Sequence, residues 1–262
     1  MKCLLPLFIA VFGFMSQAVH ADEIPHSNGL LDYMGGELDS ETAHVIGGNY
    51  HFGLSGPFSI QLDGALGEVA DSSMTGFGMH LYWHDSEVGL LDANASRLNW
   101  KGNGLNRYAL NGKWYTSITT FSGSVEYQNG DVEEKINLFA GLDLYPIDIL
   151  SLNAGAAQVD GEAMAQLGFE LQPALDRLPE LTLLGGAAKG EGDYSYYFLG
   201  LRYYFGANAP LIQRHRREFP QFTGSLRYGS GIHTLKTEIE RREASGVQAD
   251  GGGANLDQGP LL

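Results

Sequence analysis

The sequence predicts an all-β fold, an antiparallel up-and-down transmembrane β-barrel of about 12 strands (10 is the alternative count), ending in a largely disordered C-terminal tail. Three observations predict it. Acidic, glycine-bearing turns recur about every 31 residues, at 37–41, 68–71, 129–134, 160–162 and 191–193, the mark of one repeated supersecondary unit. Shorter breaks at 55–57, 84–86, 115–117, 145–148 and 172–179 fall between them, so each unit is a hairpin with one long and one short turn. The intervening stretches hold roughly ten residues, the length with which a tilted strand crosses a bilayer. One beat departs from the acidic rule: the stretch 97–104 reads as a loop of opposite charge, carrying Arg97 and Lys101.

Taken in order, the expected strands are 28–36, 43–52, 58–67, 75–84, 87–96, 105–115, 119–128, 134–145, 149–158, 161–171, 181–189 and 194–205. Most alternate with period two, as a sheet with two different faces must. In the third strand, Phe58, Ile60, Leu62 and Leu66 share one face, and Ser59, Gln61 and Asp63 share the other. In the eighth, Ile136, Leu138, Ala140, Leu142 and Leu144 oppose Asn137, Phe139, Gly141 and Asp143. Alternation is poor in the first, fifth and eleventh strands. Lipid outside and polar or small side chains inside account for the pattern. The same alternation with faces reversed fits a soluble sandwich, but strand lengths are even and aromatics crowd strand ends. Tyr50, Phe52, Trp83, Trp114, Tyr115, Tyr127, Tyr145, Tyr203 and Phe205 form the expected interfacial girdle.

Residues 1–21 read as a secretory signal: Lys2, an apolar run from Leu4 to Met15, then Val19-His-Ala21 before the cut. The only cysteine, Cys3, precedes that run and leaves with it, which argues against a disulfide-stapled domain. The barrel is expected over 22–206 and a periplasmic, mostly disordered tail over 207–262, containing a short helix at 234–244. The formal net charge of −15 sits mainly in the repeating region, which argues against a nucleic-acid partner. An even strand count puts both termini in the periplasm and the acidic turns outside.

The last strand, Ser195, Tyr197, Leu199, Leu201, Tyr203 and Phe205 alternating with Gly200 and Arg202, ends on an aromatic. It resembles the closing strand of bacterial outer-membrane proteins, and the resemblance implies that Tyr203 and Phe205 are read by the barrel-assembly machinery. The segment Gly200-Leu-Arg-Tyr-Tyr-Phe-Gly206, with the turn Tyr145-Pro-Ile-Asp148, resembles uncharacterised porin-like barrel proteins of proteobacteria. That implies the outer membrane of a Gram-negative cell, with its lipid and lipopolysaccharide as surroundings. In those proteins the pattern ends the chain, whereas more than fifty residues follow it here.

Polar side chains on the inner face are the candidates to line a lumen: Asp63, His80, Arg107, Lys113, Glu126, Asp143 and Arg202. They suit either a narrow water-filled conduit or a closed lumen of paired charges, with Arg107, Lys113 and Arg202 set against Asp63, Glu126 and Asp143. Asp131, Glu133 and Glu134 are a candidate divalent-cation loop, since adjacent carboxylates attract hard ions. His80, Tyr82 and His84 share a strand face, but no second ligand cluster supports a metal, and no nucleophile motif surrounds Ser72 or Ser73. No cofactor and no catalytic residue are expected. The leading expectation is a small passive channel for solutes. A non-conducting envelope barrel is the alternative, and a lipid-modifying barrel enzyme is the weaker third. The tail reads as a mostly disordered periplasmic extension, or as an anchor to peptidoglycan or to anionic headgroups through Arg214, Arg216 and Arg217.

Overall fold

The computed structural model describes residues 28–173, 178–206, 209–218 and 225–245. Twelve antiparallel strands follow one another around a closed barrel: β1 (Asn28–Leu38), β2 (Glu41–Ser55), β3 (Phe58–Val69), β4 (Ser72–Asp85), β5 (Gly89–Trp100), β6 (Asn103–Tyr115), β7 (Thr119–Gly130), β8 (Lys135–Ile147), β9 (Leu150–Val159), β10 (Glu162–Leu171), β11 (Leu181–Gly190) and β12 (Ser195–Tyr204). Every strand pairs with its sequence neighbours, and β1 closes on β12 with Asp32 opposite Arg202. Closure removes both sheet edges, so the backbone polar groups of the wall find ladder partners, as lipid requires.

The acidic-turn end differs from its expected shape. What reads as long loops are mostly two-residue hairpin turns. Asp39-Ser40, Ala70-Asp71, Lys101-Gly102 and Asp160-Gly161 all have positive φ at both residues, the geometry that matches strand twist. The stretch 97–104 is not a loop: Arg97 to Trp100 finishes β5, Asn103 and Gly104 start β6, and only Lys101 and Gly102 turn. Asn, Asp and Gly are spent on left-handed backbone there, so composition overstates loop length.

Outward side chains are apolar and open. Leu66, Phe77, Ile136 and Leu167 keep about two thirds of their surface exposed (65%, 65%, 65% and 68%), far beyond what a water-facing wall tolerates contiguously. Aromatic pairs ring the end opposite the acidic turns: Tyr50 on Phe52 at 4.8 Å, Trp114 on Phe121 at 6.0 Å, Tyr203 on Phe205 at 5.2 Å. Tyr115 and Tyr145, expected in this girdle, are buried inside the lumen instead. Their places in the alternation, odd-numbered beside Lys113 and Asp143, put them on the inner face.

The signal segment 1–21 lies outside the described residues, as does the tail beyond 245. The described tail is helical. A short turn of helix α1 (Leu211–Gln213) runs into a π-helical turn (Arg214–Glu218), and α2 spans Ser225–Ala244. The helix expected at 234–244 is therefore about twice as long, and it stands inside the barrel. Its 20 residues span about 30 Å, comparable to the hydrocarbon thickness of a bilayer. Tyr228 lies against Gly76 in mid-wall, and Arg242 reaches the carbonyl of Asp131 at the acidic rim, 2.6 Å away.

Candidate functional site in the barrel lumen

The inner wall has two chemistries. Toward the acidic turns it is largely apolar: Met34, Leu38, Val45, Val69, Met74, Leu98, Trp100, Leu105, Val159 and Met164 belong to one buried cluster. Ile232 and Leu235 of α2 complete it. A helix with full side chains is 10–12 Å across, so a narrow bore admits one only where side chains are small. Gly229 and Gly231 supply that. A β-carbon on Gly229 would lie 2.9 Å from Tyr194 Oη and from Tyr196, and one on Gly231 would lie 2.7 Å from Leu98. Each glycine costs a helix about 1 kcal/mol relative to alanine, a cost that close approach to the wall offsets.

At the acidic rim one histidine fastens the helix. His233 Nδ1 is 2.8 Å from Asp39 Oδ2 and its Nε2 is 3.2 Å from Glu162 Oε2, with Tyr194 edge-on at 4.9 Å. Carboxylates only accept, so both contacts are hydrogen bonds together only when both ring nitrogens carry protons. Burial works against the charged ring, but the bonds and charges of Asp39 and Glu162 prevail, and His233 titrates above its ordinary value. Burial pushes Asp39 up, yet the bond from His233, the Ser195 N–H and the charge of Lys236 at 3.8 Å bring it below its ordinary range.

Toward the other end the inner wall is polar. His80 bridges two carboxylates, Nε2 to Asp63 at 2.6 Å and Nδ1 to Asp92 at 3.1 Å. Gln61 donates to Asp63 at 2.7 Å, and Asn94 donates to Asp92 at 3.1 Å. Across the bore Arg202 joins Glu170 at 2.9 Å and Asp32 at 3.1 Å, while Thr182 and Tyr204 both donate to Glu170 at 2.7 Å. On β6 to β8 charge also enters the acidic-turn half: Arg107 pairs with Glu126 at 3.2 Å, and Asn137 donates to Glu126 at 3.1 Å and to Gln128 at 2.7 Å. Below the helix a cavity of about 220 Å³ opens between Lys113, Asp143, Asn153, Gln166 and Arg202.

The tail crosses this mouth before entering. Leu211 N–H donates to the Asp148 carbonyl at 2.9 Å. Arg214 donates to the carbonyls of Ala209 and Pro179, each at 2.7 Å. Arg216 donates to the carbonyls of Thr116 at 2.6 Å and Thr119 at 2.8 Å and to Thr120 Oγ1 at 3.2 Å. Its guanidinium lies over the rings of Tyr115 and Tyr145, 5.0 and 5.6 Å from their centroids. These two arginines clamp the tail to the mouth of the barrel, where an ordered contact replaces the expected disordered stretch and both guanidinium groups are taken up by the chain itself rather than left for peptidoglycan or headgroups.

All seven lumen candidates (Asp63, His80, Arg107, Lys113, Glu126, Asp143 and Arg202) point inward. Of the expected pairs, Arg107 meets Glu126, but Arg202 takes Asp32 and Glu170, and Asp63 takes His80. Sequence reasoning misses Asp32, Asp92 and Glu170 as partners. The signal for Asp32 is its place opposite Arg202 at the seam, visible once strand register is known. The candidate cation loop does not assemble. Asp131 Oδ2 accepts the Gly104 N–H at 2.8 Å, Glu133 is tied to Lys135 at 3.1 Å, and Glu134 is exposed. Among the described residues no group of three or more His, Cys, Asp or Glu side chains is placed to hold a metal.

No protein-family model matches the sequence, and no curated protein matches it. Solved structures do. One described as "KdgM porin in complex with disordered oligogalacturonate" superposes with a TM-score of 0.54 at 11% identity, covering 66% of this chain and 98% of that one. A NanC porin superposes at 0.51 and 8% identity, again with 66% and 98% covered. This chain has a porin-like fold. At such low identity the likeness concerns the fold alone. Two thirds of this chain is about the extent of its barrel.

Proposed function

We propose that the protein is a porin-like barrel of a Gram-negative outer membrane, stoppered by its own C-terminal helix, and that it passes small solutes when the helix withdraws. The observation that carries this is how the helix is held. All twelve strands pair with each other, and the seam closes between β1 and β12. Among the described residues no backbone-to-backbone bond joins α2 to that wall. The stopper is held by side chains, through two glycine approaches and two clamps, so it can leave without opening the wall. An apolar outer face and a polar inner half support the membrane location and the conduit. In this reading Tyr203 and Phe205 carry the assembly signal, and no enzymatic step is invoked.

The test is planar-bilayer recording on the full chain and on Gly229→Leu/Gly231→Leu, whose new side chains collide with the wall. Folding of both is checked by heat-modifiable mobility in gels. We expect rare, small openings from the native chain and stable stepped conductance from the double variant. A second reading, a non-conducting structural barrel, is favoured by the way Ile232 and Leu235 complete an apolar core. A folded double variant that never conducts supports that second reading and ends the first.

A further inference from the structure

We propose that the vacated lumen selects cations, and that the tail is the tethered cationic occupant of a path lined for cationic groups. This rests on the channel reading above and names the class of solute.

The wall itself is unbalanced. Six carboxylates face the bore in and beside its polar half: Asp32, Asp63, Asp92, Glu126, Asp143 and Glu170. The permanent cations facing the same half are Arg107, Lys113 and Arg202. A low-dielectric wall focuses the field of these carboxylates on the path. Acidic side chains around a pore favour cations.

An independent observation is what already occupies the path. Basic groups of the tail meet wall oxygens or rings at successive levels. Arg216 at one mouth takes two carbonyls and two tyrosine faces. His215 lies 3.3 Å from Glu170 just inside. At the far rim His233 and Lys236 meet Asp39, and Arg242 takes the Asp131 carbonyl. Carboxylate, carbonyl and aromatic face are the three surfaces on which ammonium and guanidinium groups are held. The tail between 209 and 245 is itself net basic, the complement of an acidic bore. A small ammonium- or guanidinium-bearing solute, or an inorganic cation, finds the same sequence of partners once the tail has gone. A polyanion is repelled along the same path.

The test uses the full-length Gly229→Leu/Gly231→Leu chain under a potassium chloride gradient. The expected reversal potential lies on the potassium side, with a K⁺ to Cl⁻ permeability ratio above 1. Adding Asp63→Asn and Asp92→Asn leaves His80 without its carboxylates, and the ratio is expected to fall. A conducting pore that is unselective or prefers chloride, or one whose selectivity ignores the aspartate changes, overturns the inference while leaving the channel reading intact. A folded chain that passes no current removes both.

Discussion

The two halves of the lumen are built by the same strands, yet one is a protein core and the other a charged vestibule. On the acidic-turn side the inward positions are Ala43, Val45, Ala65, Val69, Met74 and Leu98, closed by Ile232 and Leu235. A few residues along the same strands they become Asn49, His51, Gln61, Asp63, His80 and Asp92. The outer face changes at a different height: it is apolar along most of the wall and turns polar only at the acidic rim, where Arg97 donates to Asn99 and Asn106. The contrast teaches that an inner wall takes its chemistry from what fills it. Where the helix packs against the wall through Ile232 and Leu235, apolar burial dominates, and beyond it buried charges line the wall, each hydrogen-bonded to a neighbour.

The largest effect is expected in the charged half. Arg202→Ala strands Glu170 and Asp32 in a buried site, and breaking such a pair costs about 3–5 kcal/mol. Guanidinium unfolding in detergent micelles measures it. A loss below about 1 kcal/mol would mean that the vestibule is as wet as an exposed surface, and the contrast between the halves would collapse. Next comes the apolar half. Leu235→Ala is expected to weaken helix docking by about 2–4 kcal/mol, read as faster proteolysis of the tail with the barrel itself still intact.

The His233 clamp should give a smaller, pH-dependent effect. His233 is raised, so its contribution to docking is complete below its ordinary value of 6.5 and is lost as pH rises through its higher value in the docked state. Asp39 is lowered from 3.8, so its contribution is present above that value and is lost as pH falls through its lower docked value. Glu162 and Tyr194 face the same ring, Lys236 faces Asp39 and Arg107 acts on Tyr194, so the window belongs to the cluster. Tail protection from protease should be greatest between about pH 4 and 6.5 and decline in alkali. The alkaline decline should vanish in His233→Gln. A decline that persists unchanged there assigns the pH response to another group. Smallest of all, Glu133→Gln should change stability by less than about 0.5 kcal/mol, since Lys135 keeps Asp160 at 2.8 Å and the Glu133 carboxylate is solvent-exposed.

The wall is legible in the sequence because strand alternation and turn chemistry are local. Ile136, Leu138 and Leu142 mark an outward face by their spacing alone, and Asn137 and Asp143 mark an inward one. Turn lengths are harder to read. Asp, Asn and Gly mark a long loop and a two-residue left-handed turn equally well, so 97–104 reads as a loop. Partners are harder still. Arg202 lies 170 residues from Asp32 in sequence, and only barrel closure sets them side by side. The tail is the least legible part. Gly229, Ser230, Gly231 and Thr234 weaken the usual signature of a helix, because those small side chains answer to a wall the local sequence does not display.

By itself the sequence determined a twelve-stranded barrel, its apolar outside and the set of side chains facing in, since each follows from a period of two. Tertiary structure decided which carboxylate each cation takes, and that the chain's own end occupies the bore. Those outcomes depend on closure of β1 on β12 and on the width it leaves, and width is a property of the whole ring, not of any strand.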